Sequence, residues 1–254
     1  MNTLAGQHDQ RQPVRTGTED VSTFDQLFAE AAPLIQQGRH QRDAPPVAGG
    51  RWPVSAVLRP DHASAMRLEQ AMAEVELLAG PGHFRTGMAG SVHITVRVLE
   101  GYREAVGEDD QAVRRYAGAM RRAAGEVEAI ELDLVGLTLT PGSVMACAYP
   151  VDDKADRFMD LLKNELGDDA WREAGFRRDI WYANILHFAT DIAQPDELVE
   201  WVAQRRDLDL GSTVSDTAEL VRFRYEDDAQ GRLMRPELLD SVRMGSFGQS
   251  ADSL

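Results

Sequence analysis

The stretch Ser91-Val92-His93-Ile94-Thr95-Val96-Arg97-Val98 alternates apolar and polar residues with the two-residue period of a β-strand. Val92, Ile94 and Val96 then share one face, suited to packing on helices, while His93, Thr95 and Arg97 share the other. An imidazole and a hydroxyl two residues apart thus point together toward an open surface. One His-x-Thr of this kind recurs by chance in unrelated proteins, where it is no more than a half-buried strand histidine. A second stretch raises its significance: in Asn184-Ile185-Leu186-His187-Phe188-Ala189-Thr190 a histidine again stands mid-strand among apolar neighbours.

Between and around these strands the chain alternates elements. Ser22-x-x-Asp25 reads as a capping box opening a helix through Phe24, Leu27, Phe28, Ala31, Leu34 and Ile35, which Pro33 is expected to end or kink. Pro45-Pro46-Val47-Ala48-Gly49-Gly50 reads as a linker. After it come a strand from Trp52 to Arg59, a helix from about Asp61 stopped by Gly80-Pro81-Gly82, the first histidine strand, and a helix from about Asp110 to Gly125. A hairpin follows, with Leu137 to Thr140 and Val144 to Tyr149 joined at Pro141-Gly142. The second half repeats the theme: a helix from Asp153 to about Leu166, the strand Ile180 to Thr190, a helix after Pro195, and strands Glu219 to Tyr225 and Gly231 to Pro236. The expected organisation is a disordered leader over residues 1–20, an amphipathic helix and linker over 21–50, the main domain over 51–244, and a flexible Ser/Gly-rich tail over 245–254.

The two histidine strands, with the order of elements across roughly residues 52–240, resemble the two-histidine phosphoesterase superfamily, of the bacterial 2′-5′ RNA ligase-like cyclic phosphodiesterase type. That superfamily carries a His-x-Thr/Ser motif between hydrophobic residues in each half. The resemblance implies an α+β fold of two pseudo-symmetric lobes, each an antiparallel sheet with helices packed outside, around a central cleft. It implies chemistry without metal or other cofactor, in which one of His93 and His187 is the general base and the other the general acid. Imidazole suits both tasks because its unperturbed pKa is about 6.5. Thr95 would donate to the non-bridging phosphate oxygens as charge grows on them.

This sequence departs from the pattern at Ala189, where the second hydroxyl is expected. Thr190 is adjacent, but a regular strand points it to the opposite face unless a bulge near Ala189 brings it back. Loss of one such donor costs roughly 10²- to 10³-fold in rate. The implied activity is hydrolysis of a 2′,3′-cyclic phosphate or a 2′-5′ phosphodiester in a nucleotide or short RNA. The alternative is a non-catalytic or repurposed member that binds a nucleotide-like or phosphorylated ligand.

Other residues are weaker candidates for the substrate. Arg97 shares the histidine face and suits a phosphate, although a solvated strand-end charge explains it equally. Tyr149, Trp181 and Tyr182 offer faces on which a base could stack, although aromatic residues at strand ends more often pack. His83 sits on a glycine-dotted loop before the first motif, and Arg222 with Arg224 are expected to pair with surface acids.

The net charge of −15 argues against a grip on long duplex nucleic acid, whose affinity comes mainly from Lys and Arg neutralising phosphates. A lone cysteine, Cys147, excludes an intrachain disulfide and a cysteine-rich zinc cluster and fits a reducing cytoplasm. No apolar run approaches the roughly 20 residues of a membrane span, and the glycines of 80–90 lack the order of a phosphate loop.

Overall fold

The computed structural model describes residues 22–107, 109–228 and 231–245, so the leader expected over 1–20 and all but Gly245 of the expected tail lie outside them. In chain order the elements are α1 (Thr23–Gln36), β1 (Val54–Leu58), α2 (His62–Ala79), β2 (Ile94–Glu100), α3 (Gln111–Gly125), β3 (Ile130–Thr140), β4 (Ser143–Pro150), α4 (Lys154–Leu166), a 3-10 helix (Gly167–Glu173), β5 (Trp181–His187), α5 (Pro195–Ala203), β6 (Asp209–Ser215), β7 (Thr217–Asp228) and β8 (Gly231–Arg243).

Short polar side chains start the helices where the sequence places them. Ser22, Asp61 and Asp110 accept from the backbone N–H three residues on, at Asp25, Ser64 and Val113. Pro195 opens α5, where its missing N–H is no loss. Pro33 does not stop α1, which runs on to Gln36, because the exposed Pro33 only removes one bond to the preceding turn and its own carbonyl still accepts from Gln37. The strand β6 has no strand signal of its own: Asp209 to Ser215 is mostly polar, and it becomes a strand by pairing with the edge of β3.

The eight strands form one antiparallel sheet in the order β6-β3-β4-β5-β2-β1-β7-β8. Its halves, β6-β3-β4-β5 and β2-β1-β7-β8, meet at the registered pair Ile94↔Ala183 between β2 and β5. The expected lobes are thus two halves of one continuous curled sheet in an α+β fold, and their junction carries both histidine strands. The main core lies between the sheet and its helices, with Ile94, Val96, Ala183, Ile185 and Phe188 meeting Leu68, Met72, Met120 and Phe158. A second, smaller apolar cluster gathers Trp52, Val57, Phe84, Tyr102, Phe223 and Met234.

Two bulges decide which side chains face that second cluster. In β2, Ala56 pairs with Arg97 and Val57 with Thr95, so Val96 is the extra residue. Partners across a ladder point the same way, so Thr95 lies with Val57 of the second cluster while Arg97 lies with Ala56 of the main core. Strict alternation places Arg97 beside His93, and the bulge corrects that: Arg97 is 2% exposed and donates from Nη2 to the carbonyls of Ala170 and Glu173, each at 3.2 Å. Replacing Arg97 with leucine is expected to lower stability by about 2 to 4 kcal/mol, because two charge-assisted bonds vanish and two carbonyls lose a donor. An unchanged midpoint in urea denaturation would contradict this structural role.

Candidate functional site

The second bulge does for His187 what regular alternation would not. Val144 pairs with Leu186 and Met145 with Asn184, leaving Ile185 extra, so Ile185 and Leu186 both enter the main core. His187 is thereby turned off the core face, Phe188 returns to the core, and Ala189 packs against the second cluster. Because β2 and β5 run antiparallel, the start of one and the end of the other lie at the same end of the junction. His93 immediately precedes β2 and His187 closes β5, so both histidines lie toward the same end of the junction. They are close enough to interact electrostatically: a charge on His187 disfavours one on His93.

Aromatic rings pack on both, burying His187 and leaving His93 half-buried. Trp52 meets His187 edge-on at 4.8 Å between ring centres, Phe223 lies 5.0 Å from His93, and Trp52 and Phe223 touch at 6.2 Å. Burial, the largest cause, pulls His93 down to about 4; the bond of its Nδ1 to the Ser91 carbonyl, 2.9 Å, opposes that, while the Arg59 guanidinium and any charge on His187 lower it further. His187 is also lowered, again mainly by burial. Both rings are therefore neutral at pH 7. Acid between about pH 6.5, the unfolded value, and the folded value of His93 favours conformations that uncover it, since the uncovered ring takes the proton first.

A carbonyl only accepts, so His93 carries its neutral-state proton on Nδ1 and leaves Nε2 as the basic nitrogen. His187 is backed differently. Its Nδ1 lies 3.1 Å from Asp43 Oδ2 and 3.2 Å from Arg51 Nη2, and Asp43 Oδ1 takes Arg51 Nη1 at 2.7 Å. One ring nitrogen serves one of these partners at a time. Asp43 Oδ2 is buried and makes no hydrogen bond to any described residue, so donation from Nδ1, 3.1 Å away, is the arrangement that would satisfy it.

Asp43, Arg51 and Trp52 all come from the segment between α1 and β1, which straps the junction. At one end Gln41 N–H donates to Pro141 O, Asp43 N–H to Phe188 O, and His40 Nε2 lies 2.9 Å from Thr190 O. At the other, Gly49 and Gly50 exchange backbone bonds with Tyr102. Gly101 makes this approach possible, since any Cβ there would collide with the Gly49 carbonyl. Trp52 enters the site with φ of +69°, a left-handed backbone that a tryptophan holds only under tertiary constraint. The composition of this segment is that of a linker, and it carries no sign that Asp43 and Arg51 reach His187.

The remaining candidates lie elsewhere. Thr95 stays on the histidine face, half-buried. The Thr190 hydroxyl donates to the carbonyls of Pro81 and Asp191, because the bulge falls at Ile185 and does not rotate residue 190 toward the site. Tyr149 and Trp181 are each six residues along a strand from the Ser143↔His187 pair, about 20 Å away at the usual strand rise. Tyr149 packs edge-on against Phe24, and buried Trp181 donates from Nε1 to Asp156 at 3.0 Å. Both nitrogens of the buried His83 are taken by the backbone: its Nε2 reaches the Ala79 carbonyl and its Nδ1 accepts from Ala189 N–H. Arg222 and Arg224 pair with Glu237 and Glu226, as expected of surface charges. Among the described residues no three His, Cys, Asp or Glu side chains gather as a metal site, and no helix is long and apolar enough to cross a membrane.

No protein-family model and no curated protein matches the chain. Solved structures do match in fold. The crystal structure of TT0787 from Thermus thermophilus aligns over 76% of this chain and 97% of its own, at 17% identity and a TM-score of 0.54. E. coli LigT complexed with 3′-AMP aligns over 76% of this chain and 98% of its own, at 12% identity and a TM-score of 0.49. A further structure, described as a phosphoesterase, aligns over 75% and 97% at 16% identity and a TM-score of 0.46. The chain has the α+β fold, with both histidine strands at its centre, that the two-histidine phosphoesterase resemblance implied.

Proposed function

We propose that the chain, with residues 51–244 as its main domain, is a metal-independent phosphoesterase that hydrolyses a 2′,3′-cyclic phosphate or a 2′-5′ phosphodiester in a nucleotide or short RNA. What supports this is the placing of His93 and His187 toward the same end of the β2–β5 junction, close enough to interact electrostatically, each with Nδ1 beside a polar partner. Two imidazoles flanking one phosphate supply a base and an acid without a metal. Thr95, on the same face as His93, donates to a non-bridging oxygen. The acidic surface favours a small substrate over long duplex nucleic acid, and the single, buried Cys147 is in keeping with a cytoplasmic site of action.

Incubation of the wild type with a panel of 2′,3′-cyclic nucleotides and a 2′-5′ dinucleotide, followed by chromatography, tests this reading. A single phosphomonoester isomer is expected to accumulate, because fixed placement of acid and base selects which ester oxygen departs. No product from any of them would overturn hydrolysis. The outcome would then favour the second reading, a binding member, which Ala189 supports by presenting a methyl where a hydroxyl would face the phosphate. On that reading, nucleoside 2′- or 3′-monophosphates bind by calorimetry, and His93→Ala weakens them.

A further inference from the structure

The two imidazoles are not equivalent, and the difference comes from the strap. Behind His93 Nδ1 stands the neutral carbonyl of Ser91, which also accepts from Arg59 Nη1 at 3.2 Å. A peptide dipole shared with a guanidinium favours an imidazolium, but it carries no net charge as a carboxylate does. Behind His187 Nδ1 stands the Asp43 carboxylate, 3.1 Å away, with its side chain only 7% exposed. Asp43 is held from both sides: its N–H donates to the Phe188 carbonyl at 2.7 Å, one residue past the histidine, and its Oδ1 binds Arg51 at 2.7 Å. The backbone bond fixes the Asp43 Cα beside the histidine, and turning the carboxylate away would break its ion pair with Arg51. The charged groups around His187 are Asp43 and Arg51 from the strap and His93 from the start of β2, with the uncharged Trp52 edge-on. Arg51 opposes an imidazolium, but its side chain is 54% exposed and solvent screens it, whereas Asp43 is enclosed.

Resting on the two-histidine reading above, we propose that Asp43 is a positioning residue: by accepting the Nδ1 proton it fixes the His187 ring and makes His187 the proton donor of the pair, leaving His93 as the acceptor. The reactive form is the fraction of molecules in which His187 holds a second proton, on Nε2, and His93 is neutral; in it, His93 Nε2 takes a proton from water as its oxygen bonds to phosphorus. The bond from phosphorus to one ribose oxygen of the cyclic diester breaks, and that oxygen takes the proton from His187 Nε2. The products are a phosphomonoester, a protonated His93 and a neutral His187, and solvent returns the proton from one ring to the other. Atoms and charge balance with water as the only co-reactant.

The test uses the full chain, with Asp43→Asn and Asp43→Glu. In the wild type, nitrogen-15 NMR of the histidine rings is expected to show Nδ1–H on neutral His187. Asp43→Asn is expected to lower the His187 titration by about 1 to 2 pH units, the usual effect of an opposite charge at this range, and to leave His93 in place. In the pH profile of kcat/KM the alkaline limb moves down by the same amount, because a donor must hold its proton, while the acid limb stays. Asp43→Glu restores part of the shift. The proposal is overturned by an Nε2–H tautomer at His187, which would mean Nδ1 accepts from Arg51, by an unmoved His187 titration in folded Asp43→Asn, or by movement of the acid limb. If the wild type turns over no phosphodiester, the hydrolytic reading and the donor role fail, while tautomer and titration still decide whether Asp43 holds the ring. Should Asp43→Asn not fold, the wild-type tautomer remains decisive.

Discussion

Replacing Trp52 with alanine is expected to lower stability by about 3 to 5 kcal/mol, in the range for removing a buried aromatic side chain, and to move both histidine titrations upward. Trp52 is 6% exposed and packs against Phe84 at 5.2 Å, Phe223 at 6.2 Å and His187 at 4.8 Å. Its indole Nε1 is buried without an acceptor among the described residues, so hydrogen bonding does not hold it there. Dispersion and exclusion of water do. Burial is the leading cause of the low values of His93 and His187, so admitting water to the cluster raises both toward the ordinary 6.5. The backbone supplies an internal control. At φ of +69° alanine keeps the left-handed strain and glycine relieves it, so Trp52→Gly should be more stable than Trp52→Ala by about 1 kcal/mol, the reverse of the usual order. Urea denaturation and histidine NMR of both variants check the two effects, and unmoved titrations in either would mean that Trp52 is not the cover.

Much of the fold was legible because its signals are local. Ser22, Asp61 and Asp110 cap helices by a bond three residues long, and the alternation of Val92 to Val96 is read within one strand. His93 and His187 stand out as candidates for the same reason, with Thr95 beside the first. What escaped the sequence depends on pairing between distant segments. Arg97 turned over because Val96 is extra against β1, and no property of Val96 itself announces a bulge. Trp181 looked like a face for a base, yet its partner Asp156 lies on a helix 25 residues earlier. The polar strand β6 exists because β3 offers it an edge. The site's own second half was hidden most completely: Asp43 and Arg51 stand in a segment whose prolines and glycines resemble a tether, and only its docking on Phe188 and Tyr102 brings them to a ring 144 and 136 positions away. Ala189 was legible as a departure, and its environment is apolar: it packs against the cluster that Trp52 and Phe84 build.

The largest effect on activity is expected from the imidazoles themselves. General acid–base catalysis contributes roughly 10²- to 10⁴-fold per group, so His93→Ala and His187→Ala should each lower kcat/KM by that order. Since the proposed mechanism has the two act on one phosphate in one transition state, the double variant should fall little below the worse single one. Removing either ring opens space in the aromatic cluster, so the comparison belongs with folded fractions measured by near-ultraviolet dichroism.

The most direct measurement is therefore hydrolysis of 2′,3′-cyclic nucleotides in the presence of EDTA by wild type, His93→Ala, His187→Ala and the double variant. The two-histidine account predicts wild-type turnover undiminished by the chelator, loss by roughly two to four orders of magnitude in each single variant, and no comparable further loss in the double. Turnover that survives either substitution in folded protein, or that EDTA abolishes in the wild type, would contradict it.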